Sequence, residues 1–385
     1  MELISDSGAL QAFCQRIAGS RFITVDTEFI RDRTFWPVLC LVQIAGEEEA
    51  GAIDAQANGI DLTPVFELMA APSPLKVFHA ARQDIEIFYH LTGRVPAPLF
   101  DTQIAAMVCG FGDSVAYETL ASRLAKARID KSMRFTDWSR RPLSPKQLAY
   151  AISDVTHLRI VYEKLAKRLA DEKRETWVAE EMAVLTAPST YEMDPREAWR
   201  RLKPRSGKPR FLAVLRELAA WREEEARRRN LPRSRVVRDE TLKEIAAHDP
   251  KTVEDLTHLR SLGRGQAQGD TGRAILAAVE RGHALPESEC PEPIESNHGE
   301  QLNGASVELL RVLLKMKCER HHVAQKLVAS AADIEALAES DAAEVPALHG
   351  WRREVFGEDA LALKHGKLGL TAEGNKVRMV KLGGP

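Results

Sequence analysis

Two acidic residues, Asp26 and Glu28, stand in the run VDTEF with a single residue between them. The run FITVD that leads into them is β-branched and apolar, so it reads as a strand, and its period of two turns both carboxylates to one face. Paired carboxylates repel one another, and unless a cation neutralises them one must take up a proton. The pair therefore suits a divalent metal ion; the plainer reading is a strand that leaves the core and meets solvent. A further acid, Asp84 in HAARQDIEIFYH, falls in the first turn of a helix that follows an apolar strand. The helix N-terminus favours an anion there, with or without a function. Glu86 competes with it from two residues on, facing elsewhere. In YAISDV, Tyr150 and Asp154 lie four residues apart on a helix and share a face, so the phenol can position a water beside the carboxylate. Such pairs also arise as ordinary contacts.

Three neighbours are candidates to touch a substrate held at these groups: Thr27, Phe29 and His79. Thr27 sits between the two acids. Phe29 follows Glu28 directly and can pack on a terminal base or ribose, since aromatic stacking tolerates any base; the alternative is a core phenylalanine. His79 ends the run LKVFH and can reach a sugar or phosphate, or serve as a hydrogen-bonded core histidine. Asp101 in DTQIAA reads as a helix cap.

The elements that must position these groups alternate between strand-like and helix-like runs over roughly the first 175 residues, which marks an α/β domain. Strands are expected at Phe22–Asp26, Leu39–Ala45, Ala52–Asp54 and Leu75–His79, and helices at 7–18, 61–70, 81–91, 101–110, 117–125 and 145–171. Ser144 and Pro145 supply the cap and first residue of the last helix. After Pro188 the strand signal disappears. Residues 209–229 form a long amphipathic helix, Asp239 caps the next, and Pro250 with Thr252 opens another. The glycine-rich GRGQAQG at 263–269 reads as a loop. Residues 286–300, rich in Pro, Glu and Ser, form a linker. Beyond them a second helical unit, 301–376, weakly repeats the first, and the tail from Gly374 is expected to fray.

The chain has 385 residues, 44% hydrophobic and 29% charged, enough for two or three domains with sizeable cores. No run approaches the roughly 18 consecutive apolar residues of a membrane helix, and the N-terminus lacks a basic segment followed by an apolar run, so a cytoplasmic, membrane-free protein is expected. Five cysteines without a C-x-x-C pair read as free thiols. His321-His322 has no partners at zinc spacing and reads as a solvated helix end. No phosphate-binding G-x-x-x-x-G-K-[ST] loop is present, which argues against ATP hydrolysis. The net charge of −2 conceals thirteen Lys/Arg against four Glu in 199–235, and eight basic against two acidic residues in 122–146. Such blocks suggest a polyanionic partner, the plain alternative being well-solvated helices.

VDTEF, an Asp at a helix start and Y-x-x-x-D, in that order, resemble the DEDD exonuclease superfamily, and the tyrosine places the resemblance in its DEDDy branch. TEFIRDRTFWPVLCLVQIA, HAARQDIEIF, DTQIAA and RPLSPKQLAYAISDVTHL are similar to the successive motifs of the ribonuclease D family over residues 20–170. WREEEARRRNLPRSRVVRDETLKEIA, with Pro250, Leu256 and Leu262-Gly263, resembles an HRDC domain, a small helical nucleic-acid-binding module. The resemblance implies a ribonuclease H-like (DnaQ-like) α/β exonuclease domain over 1–185, with a mixed sheet flanked by helices. Two all-α HRDC-type domains then follow, at 205–285 and, degenerate, at 301–376.

The resemblance further implies 3′→5′ hydrolysis of RNA to nucleoside 5′-monophosphates with two Mg²⁺ or Mn²⁺ ions. Asp26 would bridge both ions, Glu28 and Asp154 would complete the site of the ion that activates water, Asp84 would serve the other, and Tyr150 would orient the water. The implied partner is RNA with a free 3′ end, such as transfer RNA precursors, bound by a monomer. A DNA proofreading exonuclease and a non-catalytic nucleic-acid-binding scaffold are the competing readings.

Overall fold

The computed structural model describes residues 2–204, 206–292 and 304–382. Its apolar runs form six strands, β1 (Glu2–Ile4), β2 (Phe22–Ile30), β3 (Val38–Ala45), β4 (Ala50–Asp54), β5 (Leu75–Phe78) and β6 (Leu99–Asp101). They make one sheet in the order β1-β4-β3-β2-β5-β6, in which only β3 runs against the rest. Sequence patterning misses β1 and β6 because each is three residues long and lies at an edge of the sheet. It also ends β2 too early. Thr27–Ile30 extend the strand by pairing with Val42–Val38, with a bulge between Glu28 and Phe29.

The helices of this unit are α1 (Ser7–Ile17), α2 (Thr63–Ala70), α3 (Arg82–Thr92), α4 (Thr102–Val108), α5 (Tyr117–Leu120, continued by a wider turn to Ala125), α6 (Pro145–Glu172) and α7 (Glu175–Thr186). Ser144 and Gln147 cap α6 reciprocally around Pro145. One stripe of α6, Ala151, Val155, Leu158, Val161, Leu165 and Leu169, is buried as the helix crosses β2 to β5. Thr24 on β2 donates its hydroxyl hydrogen to the Val155 carbonyl at 2.8 Å, which fixes the register of α6 on the sheet.

A helical unit follows: α8 (Pro209–Arg229), α9 (Arg233–Val236), α10 (Asp239–His248), α11 (Val253–Thr257), α12 (Arg264–Gln268) and α13 (Asp270–Ala284). Two expectations are corrected here. GRGQAQG is not a loop, since its Arg264–Gln268 form α12 between Gly263 and Gly269, with Ala267 buried. Asp239 is the first residue of α10 rather than its cap, and it pairs with the buried Arg222 at 2.5 Å. This unit docks on the α/β fold through Phe35, which is buried among its side chains under the guanidiniums of Arg227 and Arg233. The Trp36 N–H also donates to Asn230 Oδ1 at 3.0 Å.

Within the expected linker, Glu287–Glu289 form a single 3₁₀ turn and residues 293–300 lie outside the described residues. The third unit comprises α14 (Gly304–His321), α15 (Gln325–Val328), α16 (Ala331–Glu339), α17 (Gly350–Arg352) and α18 (Glu358–Lys364), then β7 (Leu368–Glu373) and β8 (Lys376–Lys381). It is therefore not all-α, and among the described residues the tail from Gly374 is paired rather than frayed. Gly374, at φ 60°, and Asn375 turn the chain so that Glu373 faces Lys376 in an antiparallel hairpin. His321-His322 closes α14 as expected, with His322 exposed and His321 half-buried, but its backbone is engaged. Arg174 donates to the carbonyls of both histidines, and the Ala324 N–H donates to the Met107 carbonyl at 3.0 Å. Trp351 stacks on Trp177 of α7 at 4.4 Å, so this unit also packs on the α/β fold.

The packing of α13 on α8 is testable at Gly282, where a Cβ would stand 2.6 Å from the Val214 Cα. Neither backbone can retreat easily. Gly282→Ala is expected to destabilise the helical unit by about 1–3 kcal/mol in urea denaturation. An unchanged midpoint would mean the helices do not meet there.

Candidate active site

The strand period, the bulge and the register of α6 bring Asp26, Glu28 and Asp154 together, with ligand oxygens within 4.8 Å of one another. Asp26 and Asp154 line a cavity of about 410 Å³ together with Asp84, Tyr150, Thr27, Phe29 and His79. Asp84 stands outside the tight trio, on the first turn of α3, close enough to Asp26 for their charges to oppose each other. Thr27, expected to touch substrate, is buried and donates its hydroxyl hydrogen to Asp84 Oδ1. Glu86 is excluded from the cluster by its ion pair with Arg31.

Asp101 does more than cap α4. Its Oδ1 accepts from the N–H groups of Ala80 (3.0 Å) and Gln103 (2.7 Å), and its Oδ2 from that of Ala81 (2.8 Å). It thereby holds the left-handed Ala80 (φ 57°) and the loop that aims Asp84. His79 Nδ1 lies 3.0 Å from Thr102 Oγ1, and burial lowers the histidine's pKa, so the ring stays neutral near pH 7. Phe29 packs partly on the core and also lines the cavity.

Sequence reasoning missed other residues of the wall. Gln83, Gln103 and Tyr117 also line the cavity, and the Tyr117 hydroxyl donates to the Ser153 carbonyl at 3.1 Å. None forms a motif by spacing alone. Arg134 also lines the cavity, where its charge offsets part of the rise that burial and Asp26 impose on the pKa of Asp154. The basic excess in 122–146 signalled this region but not the residue. Arg141 of the same block is spent internally, on Asp54 and the Cys40 carbonyl.

The sequence over residues 1–170 matches the 3′-5′ exonuclease family model, and residues 211–279 match the HRDC domain. Ribonuclease D of Nitrobacter hamburgensis is 53% identical over 381 residues, spanning 99% of this chain and all of that protein. The chain belongs to the ribonuclease D family. A second ribonuclease D, from Acidiphilium cryptum, is 53% identical over 380 residues, covering 99% of this chain and 97% of its own length. Among solved structures, Escherichia coli RNase D, an exoribonuclease involved in structured RNA processing, superposes with a TM-score of 0.83 at 30% identity, over 95% of this chain and 98% of that one.

Exonucleases of this fold use divalent metal ions, and the donor set in this ribonuclease D family member fits one. All the donors are carboxylate oxygens, the hard ligands that hard cations select. Asp154 Oδ1 is buried with no hydrogen-bond partner among the described residues, an uncompensated acceptor aimed at the cluster.

The electrostatics point the same way. Burial first, and then the neighbouring charges of Asp26, Asp154 and Asp84, push the Glu28 carboxyl up to about 10. Burial and Asp26 raise Asp154 to about 8, against the lowering hydrogen bond from the Tyr150 hydroxyl. Burial raises Asp26 to about 6, and burial with the charge of Asp26 raises Asp84 well above the usual carboxylate range. Without a cation the cluster holds protons near neutral pH.

These shifts fix the sign of a pH dependence. Each acid binds its proton more tightly in the folded chain, so the unfolded chain ionises first and stability declines as pH rises from about 4 toward the raised values. In chelator, the Tm is expected to fall between about pH 5 and pH 9, and Glu28→Gln to reduce that fall, while saturating Mg²⁺ restores the parent. A chelated parent and Glu28→Gln with identical pH profiles would contradict the electrostatic account.

Proposed function

We propose that this chain hydrolyses RNA from its 3′ end, releasing nucleoside 5′-monophosphates, with Asp26, Glu28, Asp84, Asp154 and Tyr150 as its catalytic set. The carrying observation is the convergence of Asp26, Glu28 and Asp154 within 4.8 Å, with Tyr150 lining the same cavity as Asp26 and Asp154. Asp26 is central and would be shared between two Mg²⁺ or Mn²⁺ ions, Glu28 and Asp154 completing one site and Asp84 the other. When bound, such ions lower the pKa of a water and stabilise the departing 3′ oxygen.

The protein's own groups supply the positioning. Burial first, then the adjacent carboxylates, raises the Tyr150 pKa, so the residue remains a phenol. It lines the cavity with Asp154 and would use its hydroxyl to orient the attacking water. Thr27 holds Asp84, and Phe29 presents an aromatic face to the terminal nucleotide. His79, kept neutral, is placed for the terminal sugar or phosphate. No side chain need form a covalent bond to substrate.

The division that suits this reading is an exonuclease domain at 1–185, an HRDC domain at 205–285, a linker at 286–300 and a degenerate HRDC-like unit at 301–376. The third unit repeats the order of the second: a long helix, a one-turn helix and a helix of nine or ten residues. Transfer RNA precursors and other small stable RNAs are the proposed substrates of a monomeric, cytoplasmic enzyme. Five free cysteines suit a reducing compartment, and among the described residues no helix is long and apolar enough to cross a membrane.

On 3′-hydroxyl single-stranded RNA with Mg²⁺ or Mn²⁺, Asp26→Ala is expected to abolish cleavage while leaving RNA binding nearly intact. Tyr150→Phe should reduce kcat on the order of 10²-fold without weakening metal binding. Retained cleavage in Asp26→Ala would refute the shared-ligand role. A parent that prefers matched single-stranded DNA would make the chain a DNA exonuclease, and tight RNA binding without cleavage would make it a scaffold.

A further inference from the structure

A second cavity, of about 300 Å³, opens at the seam between the α/β fold and the first helical unit. Five arginines line it: Arg31, Arg82, Arg201, Arg227 and Arg233. Three are committed to the protein. Arg31 forms a two-pronged ion pair with Glu86, Arg233 does the same with the buried Glu223, and Arg227 donates to the Met193 carbonyl at 2.7 Å and reaches Glu223 at 3.5 Å.

The other two are not neutralised. Arg82 reaches only the Thr190 carbonyl, at 3.4 Å, and has no acidic partner among the described residues. Arg201 is exposed and makes no hydrogen bond or ion pair to any described residue, its charge reaching the buried Glu223, already held by Arg233, only at longer range. The remaining acid of the wall, Glu192, accepts the Tyr89 hydroxyl hydrogen at 2.5 Å. Five guanidiniums thus face three carboxylates, Glu86, Glu192 and Glu223, an excess of two positive charges in a half-enclosed site. Such an excess favours an anion, and guanidinium geometry matches phosphate oxygens.

The cavity adjoins the carboxylate site along two elements. On α3, Arg82 immediately precedes Gln83 and Asp84, which line the carboxylate cavity. Past the end of β2, Arg31 follows Phe29 by two residues, about 7 Å of extended chain. A strand whose 3′ nucleotide sits on Phe29 must continue 5′-ward out of the carboxylate cavity, and this is the adjoining site with uncompensated positive charge.

We propose that the seam cavity binds a backbone phosphate of the RNA strand on the 5′ side of the nucleotide being removed, through Arg82 and Arg201. The inference rests on the exoribonuclease reading and extends it. Arg82 belongs to the α/β fold and Arg201 to the segment entering the helical unit, so a bound strand bridges the two. Contact here governs long substrates and leaves the chemistry of the terminal bond alone.

The test compares a single-stranded oligoribonucleotide with a dinucleotide, which carries only the scissile phosphate and cannot reach the seam. Arg201→Gln and Arg82→Gln are each expected to raise KM for the oligonucleotide roughly tenfold, with kcat unchanged. Each should also flatten the slope of log KM against log salt by about 0.7. Dinucleotide cleavage and Tm should stay at parental values, and Arg201→Lys should recover part of the lost affinity. Parental KM and salt slope in both glutamine variants would overturn the proposal, and so would equal losses on the dinucleotide, which would place the defect in the carboxylate site. A parent that cleaves neither substrate overturns the exoribonuclease reading and this one together, whereas failure of the seam alone leaves parental cleavage of both intact.

Discussion

Carboxylates crowded into a half-buried cavity cannot all ionise unless positive charge joins them, and the surrounding structure serves to hold that unfavourable arrangement in place. Asp26 is the hub: its charge raises the pKa of Glu28, Asp154 and Asp84. Left to relax, the acids would spread toward solvent. They are prevented by hydrogen bonds one layer away: Thr24 to the Val155 carbonyl sets Asp154 opposite Asp26, Thr27 tethers Asp84, and Asp101 accepts from the Ala80 and Ala81 N–H groups to shape the loop before α3. Strain of this kind, carried by a rigid sheet and a 28-residue helix, is what a tight cation site requires.

Much of this was legible because the elements are strongly patterned. The strand ahead of Asp26, the Ser144-Pro145 start of α6 and the i, i+4 pairing of Tyr150 with Asp154 all follow from local chemistry. The three-residue edge strands β1 and β6 do not, because a run that short has no period to detect. Nor does the role of Thr27: its burial against Asp84 depends on a contact 57 residues away in sequence. The β7–β8 hairpin had a signal in Glu373-Gly374-Asn375-Lys376, a turn pair between alternating runs, but its position at the chain end suggested fraying instead.

Charge counting was the least reliable guide. The excess in 199–235 suggested a polyanionic partner or well-solvated helices, yet Arg200, Arg222, Arg227, Arg228 and Arg233 are paired with acids, some deep in the helical unit. Glu223, fully buried, organises Arg227 and Arg233 over Phe35, so part of that charge fastens one unit to another rather than meeting a ligand. A sequence reports how many cations a segment carries, whereas their availability depends on partners supplied by the fold. The same holds for Arg141, pinned to Asp54, and for Arg134, which alone of that pair faces the carboxylates.

The central claim, that these acids converge to hold divalent cations, is tested most directly by diffraction from crystals soaked in Mn²⁺, recorded at a wavelength where manganese scatters anomalously. The account requires anomalous density among Asp26, Glu28 and Asp154, with a second peak between Asp26 and Asp84. Absence of density among these carboxylates at saturating Mn²⁺, or side chains pointing away from one another, would contradict it.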